Sequence, residues 1–182
     1  GVMTLGGTWG KFKLEASAAS LIALLADGAF RDALGVLQKV LSAAKEEKVS
    51  VEDVIRVTGS PRAELVRSLL RAMMEKNTEK AILVVREVVK ENIDISVFLK
   101  MVMREIRLAL LATFAPALKK ELVLELSKDE NDFQEELRKE VGKSITSAML
   151  KELLEVEMLT KQSYIPELPL ELALMKLLSR TS

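Results

Sequence analysis

Apolar residues recur every three or four positions along most of this chain, which is the period of an amphipathic α-helix. One predicted helix over 95–114 shows the pattern clearly, with four apolar residues on a single face: Phe98, Val102, Ile106 and Leu110. Asp94 can cap this helix and Pro116 limits it. Val, Ile and Thr nowhere alternate with polar residues for long enough to make a convincing strand. The pattern therefore predicts an all-α fold.

Three helices are predicted in the first third of the chain, at about 17–26, 30–45 and 51–57. Gly28 can stop the first by adopting the left-handed conformation. Ser50 caps the third, and Asp53 stands where a full capping box has glutamate or glutamine. This shorter carboxylate is expected to serve only approximately. Gly59 ends the third helix.

A domain boundary is predicted at Ser60–Pro61, because a cap residue followed by proline is a strong helix start. A longer bundle follows, with helices at about 61–76, 78–91, 95–114, 117–126, 132–141, 144–160 and 170–178. The polar stretch 127–131 is predicted to be a loop. Residues 1–13 are predicted to be a disordered or expression-derived lead-in, since the first ten hold four of the eight glycines and show no period.

Composition excludes several kinds of chemistry. The chain has no Cys and no His, so disulfides, thiolate chemistry, structural zinc and imidazole catalysis are ruled out. The 27 basic and 27 acidic residues cancel, so no global field attracts nucleic acid or a membrane. The most apolar stretch, 108–118, is too short to cross a bilayer. The absence of cysteine and of a visible signal peptide fits a cytoplasmic protein.

No self-sufficient active site is visible in the sequence. The phosphate-loop pattern G-x-x-x-x-G-K-[ST] does not occur, and its nearest match is Gly142-Lys143-Ser144, which lacks the upstream glycine. We expect that tripeptide to begin a helix. The acidic residues lie on predicted exposed faces, so we predict no catalytic residue and no metal site.

Arg31 has an unusual position in the segment 26–34 (ADGAFRDAL), in the first turn of the second predicted helix. The helix dipole is positive there and disfavours a cation by about 0.3–1 kcal/mol. The arginine is tolerated if Asp27 or Asp32 pairs with it. It is useful if it reaches an anion that the same helix end attracts. The residues alone leave both interpretations open.

Three segments, in this order, resemble the gamma/tau clamp-loader subunit of bacterial DNA polymerase III. The segment ADGAFRDAL resembles the sensor 2 motif of clamp-loader ATPases of the AAA+ class. Residues 97–107 (VFLKMVMREIR) resemble the family's central collar helix. Residues 165–178 (IPELPLELALMKLL) resemble its last collar helix, which is entered through a proline-rich turn.

The resemblance implies a division of the chain and a role for one residue. Residues 14–59 would be the AAA+ lid (the C-terminal part of domain II), a small three-helix domain. Residues 60–182 would be the collar oligomerisation domain (domain III), a multi-helix bundle. Arg31 would be the nucleotide-binding sensor 2 residue that touches the terminal phosphate of ATP, held by a core domain that this fragment lacks. The family usually has Ser where this chain has Ala29, so a helix cap is missing.

The function implied by the resemblance is collar-mediated subunit assembly and coupling of ATP state to sliding-clamp loading. Implied partners are other clamp-loader subunits, with the sliding clamp and primed DNA in the full complex, no membrane, and homo-oligomers when partners are absent. ATP and Mg²⁺ belong to the parent ATPase subunit, and the fragment is expected to bind neither and to be inactive alone. The alternatives are a delta or delta-prime subunit, a helical adaptor or scaffold unrelated to replication, and an autonomous helical enzyme.

Overall fold

Helices account for nearly all of the regular structure in the computed structural model, which describes residues 8–9, 12–26, 29–123 and 126–179. The predicted all-α class is confirmed. By its contacts the chain divides into two compact units, Gly1–Ser60 and Pro61–Ser182. The predicted helix stop at Gly28 lies outside the described residues, as do residues 1–7 and 10–11 of the predicted lead-in.

The first unit contains three helices and a small sheet. The helices are α1 (Ala16–Leu25), α2 (Phe30–Ala43) and α3 (Val51–Thr58). The strands are β1 (Thr8–Trp9), β2 (Phe12–Leu14) and β3 (Lys48–Val49), in the order β1-β2-β3. All three helices contact one another. They enclose a core that includes Ala18, Ile22, Leu37, Val40 and Val54.

Residues 8–9 and 12–13 of the predicted lead-in belong to short strands and are therefore not disordered, although the sequence pattern predicted no convincing strand. β1 pairs antiparallel with β2, and β2 pairs parallel with β3, so that Leu14 lies beside Val49. Both of these side chains are buried. An ion pair of 2.8 Å between Lys48 Nζ and Glu15 Oε1 lies next to the pairing. Strands of two or three residues are too short for alternation to be read from sequence.

The start of α3 is better capped than the sequence suggests. The Ser50 backbone N–H donates to Asp53 Oδ2 at 3.0 Å, and the Asp53 N–H donates to Ser50 Oγ at 3.3 Å. Both bonds of a capping box are therefore present, although the carboxylate is that of aspartate. The Ser50 N–H bond is the main cause that lowers the pKa of Asp53. Gly59 closes the helix with a φ of 68°, as predicted.

The second unit is a bundle around one long helix. Its helices are α4 (Ala63–Met74), α5 (Thr78–Lys90), α6 (Ile95–Phe114), α7 (Lys119–Val123), α8 (Lys128–Lys139), α9 (Ser147–Thr160) and α10 (Leu168–Leu178), with a 3₁₀ turn at Pro116–Leu118. α6 contacts each of α4, α5, α7, α8 and α9. The predicted stripe of Phe98, Val102, Ile106 and Leu110 is buried in the core. Asp94 caps α6 as predicted, accepting from the Val97 N–H at 3.0 Å.

Two predicted helix starts are wrong. α4 begins at Ala63 rather than at Pro61, and the hydroxyl of Ser60 is hydrogen-bonded to that of Thr58 at 2.7 Å instead of capping the helix. α9 begins at Ser147 rather than at 144, with Thr146 as its cap. The Gly142-Lys143-Ser144 tripeptide is therefore a turn before the helix and does not begin it.

The predicted loop at 127–131 is also wrong, because α8 begins inside it. The Ser127 N–H donates to Glu130 Oε2 at 2.8 Å, and the Glu130 N–H donates to Ser127 Oγ at 3.3 Å. This capping box satisfies two N–H groups at the helix start. The helix predicted at 117–126 is replaced by the 3₁₀ turn and the short α7, and residues 124–125 lie outside the described residues.

Replacing Ser127 by alanine should lower the free energy of unfolding by about 0.5–2 kcal/mol, because the cap of α8 is lost. Chemical denaturation followed by far-ultraviolet circular dichroism measures the change. Ser68→Ala is the matched control, since Ser68 is exposed within α4 and its hydroxyl makes no hydrogen bond among the described residues. An equal effect of the two substitutions would show that the capping box contributes nothing to stability.

Arginine 31 and the surfaces of the second unit

Arg31 lies in the first turn of α2, as the sequence predicts, and its side chain is exposed. The residue before the helix, Ala29, supplies no side-chain cap, although its carbonyl accepts from the Ala33 N–H at 3.0 Å. Phe30 lies beside Arg31 and is 64% exposed. An uncapped helix start with an exposed cation and an exposed ring is suited to contact an anionic ligand or another protein.

Among the described residues Arg31 forms no ion pair, and in particular it does not pair with Asp32. Asp27, the other predicted partner, lies outside the described residues. The structural role in which Asp32 neutralises the arginine therefore has no support in the geometry. The guanidinium keeps its hydrogen-bond donors available to a group outside the part of the chain that the structure describes.

A polar and aromatic cluster joins α4 to α8 in the second unit. Arg71 donates to Glu136 through two bonds, from Nε at 3.0 Å and from one terminal nitrogen at 2.9 Å. The guanidinium carbons of Arg67 and Arg71 lie 5.4 and 5.2 Å from the centre of the Phe133 ring, within range of a cation–π contact. The arginine hydrogen bond is the main cause that lowers the pKa of Glu136. The arrangement holds α8 against α4.

The Glu136 pair should make stability depend on pH in a defined direction. Because folding lowers the pKa of Glu136, its contribution is complete above the unfolded value of about 4.3 and is lost as pH falls through the folded pKa. Both side chains are about half exposed, so the contribution is below about 1 kcal/mol. The unfolding free energy of Glu136→Gln should therefore differ most from wild type above about pH 4.3 and converge with it in acid.

The control for this pH effect is Glu46→Gln, which removes an exposed glutamate that lies outside the helices and has no ion pair among the described residues. Its unfolding free energy should track wild type across the same pH range. A constant gap between wild type and Glu136→Gln down to the most acidic pH would contradict the assignment of the effect to this carboxylate.

The described residues contain a small cavity between α6, α7 and α8, of about 10 Å³. Lys119, Gln134, Glu135 and Arg138 are among its lining residues. Such a volume holds about one water molecule, so the cavity cannot accept a nucleotide. In the same part of the chain no group of acidic side chains is arranged to hold a metal ion, and no helix has both the length and the apolar character needed to cross a membrane.

The last two helices have an exposed apolar surface that the sequence pattern did not locate. Its exposed members on α9 and α10 are Leu154, Met158, Leu159, Leu172 and Met175, and we call them the α9–α10 surface. α10 runs back along α9, because Lys176 near its end bonds Glu152 near the start of α9 at 3.0 Å. The inner side of α9 is already formed by Met149, Leu153 and Val156. Further Leu and Met residues on its outer side could therefore have indicated this surface from the sequence.

The comparison with known families decides what this bundle is. The sequence pattern of the family described as "DNA polymerase III subunits gamma and tau domain III" matches residues 49–182. The chain belongs to this family. The matched residues contain α3 to α10 and thus the complete core of the second unit. This membership confirms the predicted resemblance and assigns the second unit to domain III of the gamma and tau subunits of DNA polymerase III.

Among solved structures, the chain is similar to the Bacillus subtilis DNA clamp loader delta protein (YqeN), at 18% identity and with a TM-score of 0.47. The match covers 93% of this chain and 52% of the delta protein, so this chain spans about half the length of the delta protein. No curated protein gives a significant match. Arg31 lies before the matched residues 49–182, and its sensor 2 role stays a prediction.

Proposed function

We propose that the second unit joins this chain to other clamp-loader subunits and that the first unit transmits the state of bound ATP to sliding-clamp loading. The observation that carries the proposal is the family match over residues 49–182, which contain the whole core of the second unit. The α9–α10 surface supports the assembly role, because exposed apolar side chains grouped on neighbouring helices are typical of a protein–protein contact.

The nucleotide role proposed for Arg31 depends on a separate nucleotide-binding core of the AAA+ type. In that arrangement ATP and Mg²⁺ are held by the core, and Arg31 donates hydrogen bonds to the terminal phosphate. Its exposure at an uncapped helix start, without an ion pair to Asp32, supports this role. The sliding clamp and primed DNA are then substrates of the assembled complex, which acts in the cytoplasm where DNA polymerase III works.

The assembly role is tested by mixing the purified chain with the purified delta and delta-prime subunits of the same organism. Size-exclusion chromatography with light scattering should show a complex of defined mass that contains this chain. The test variant is the chain with Leu172 and Met175 both replaced by serine. It should weaken the complex, because it removes two apolar side chains of the α9–α10 surface. Its circular dichroism spectrum should stay unchanged, because both side chains are exposed and outside the core. Failure of the wild-type chain to bind any clamp-loader subunit would contradict the proposal.

A further inference from the structure

Gly35 lies in the middle of α2, at a position where the described chain gives no reason for glycine. It is exposed, four residues after Arg31, and on the side of the helix opposite the buried Ala33 and Leu37. Its φ is not in the left-handed region that favours glycine, and a side chain there would meet no atom of another described element within 4 Å. Glycine is nevertheless the least favourable residue for a helix interior after proline. The fold itself would therefore be more stable with almost any other residue at this position.

Uncharged residues continue the side of α2 on which Gly35 lies. Gln38 and Ser42 follow it at spacings of three and four residues, and both are exposed. The Ser42 hydroxyl donates to the Gln38 carbonyl at 2.8 Å and so stays against its own helix. The exposed charges of Asp32 and Lys39 border this side along one edge. A main chain that packs on α2 can therefore come closest to the helix at Gly35, where no side chain separates the two backbones.

We propose that the main chain of the nucleotide-binding core packs against α2 at Gly35, and that the missing side chain sets how closely the two approach. This inference rests on the nucleotide role proposed for Arg31 and adds the residue that allows Arg31 to reach the phosphate. The two residues lie on the same side of α2, and four residues of helix span only about 6 Å. A protein surface that holds ATP against Arg31 is much wider than this distance and extends over Gly35. Gly35 is thus a positioning residue that acts through Arg31.

The chemistry around Gly35 favours a main chain over the ATP molecule itself as the group that lies there. A phosphate requires cations or free N–H groups, and the N–H groups in the middle of a helix are already bonded to carbonyls one turn earlier. The neighbouring Gln38 and Ser42 carry no charge. A neutral main chain needs neither cations nor free N–H groups, and it gains van der Waals contact from the close approach.

The substitution Gly35→Ala should change stability and activity in opposite directions. In the 182-residue chain it should raise the Tm of the first unit by about 4 °C, because alanine favours the helix and meets no neighbour. In a subunit that also contains the core, the added methyl group overpacks the contact. ATP affinity and ATP-dependent clamp loading should then each fall by about tenfold, and Gly35→Leu should lower both further. Scanning calorimetry, titration calorimetry with ATP and clamp-loading rates measure the three quantities.

Ser42→Ala is the matched control, because it also raises helix propensity on the exposed side of α2 but adds no atoms. It should leave ATP affinity and clamp loading within about twofold of wild type. Wild-type ATP affinity and loading in both Gly35 variants would overturn the proposal. So would Gly35 variants that bind ATP normally but fail to assemble with delta and delta-prime, since another subunit rather than the core would then lie on this side of α2.

The variant Arg31→Ala separates this inference from the proposed function. Impaired loading by Arg31→Ala and by both Gly35 variants, with normal loading by Ser42→Ala, supports both. Impaired loading by Arg31→Ala alone overturns the contact at Gly35 and leaves the nucleotide role intact. Normal loading by Arg31→Ala contradicts the nucleotide role and removes with it the core as the occupant at Gly35.

Discussion

Replacing Phe98 by alanine should lower the free energy of unfolding of the second unit by about 3–5 kcal/mol. The side chain is 0% exposed and belongs to the core that α6 forms with the surrounding helices. Its removal loses buried apolar surface and leaves a cavity that close-packed neighbours fill only partly. A loss of this size is a large part of the 5–15 kcal/mol that typically stabilises a domain. Chemical denaturation followed by circular dichroism measures it.

Phe114→Ala is the control, because Phe114 belongs to the same helix and is 75% exposed. The gain in helix propensity from phenylalanine to alanine has the same sign at both positions, so the difference between the two variants isolates burial. We expect the control to change the unfolding free energy by no more than about 0.5 kcal/mol. Similar losses at the two positions would contradict the placement of α6 at the centre of the bundle.

Replacing Arg31 by alanine should reduce ATP-dependent clamp loading by about 10- to 100-fold in a subunit that contains this chain and its nucleotide-binding core. A charge-assisted contact to phosphate contributes about 1.5–3 kcal/mol, and each 1.4 kcal/mol corresponds to a factor of ten. Subunit assembly and helical content should stay unchanged, because the side chain is exposed and pairs with no described residue. Clamp-loading rates measured with the assembled complex test the expectation.

The control is Lys39→Ala, which removes an exposed cation from the middle of the same helix. It should leave loading within twofold of wild type, on the order of an exposed-charge effect. The chain alone should bind ATP with a dissociation constant of about 1 mM or weaker, since one contact falls short of the roughly 4 kcal/mol that millimolar binding requires. Normal loading by Arg31→Ala, or tight ATP binding by the chain alone, would remove Arg31 from the nucleotide site.

The parts of the fold that the sequence predicted well are those in which local and tertiary signals agree. α6 begins after Asp94 and ends before Pro116, and its period matches a buried stripe. At Ser60 the local rule failed, because the hydroxyl has a competing partner in Thr58 that a cap preference does not include. At Ser127 the residues that form the capping box are the same polar types that indicate loops, so composition concealed the helix start.

The candidate site was predictable in position but not in its contacts. The segment around Arg31 located the residue on α2, because helix period and glycine placement fix the start of that helix. Whether Asp32 would neutralise it depended on side-chain directions at the helix start, which sequence spacing does not determine. The exposed apolar residues of α9 were not predicted, because its buried face of Met149, Leu153 and Val156 already accounts for the 3.6-residue period.

β3 (Lys48–Val49) pairs in parallel with β2, so a shortened protein that begins at residue 49 would cut β3 and remove its partner strand. This pairing limits where the protein can be shortened for crystallisation or NMR. The family's sequence pattern begins at residue 49, inside the first unit and just before its last helix. A shortened protein that starts there would keep α3 without α1 and α2, and the buried side chain of Val54 would lose its surroundings. A start at Pro61 retains every residue of the second core and leaves no cut strand behind. The evolutionary unit and the structural unit of this protein thus differ by one helix.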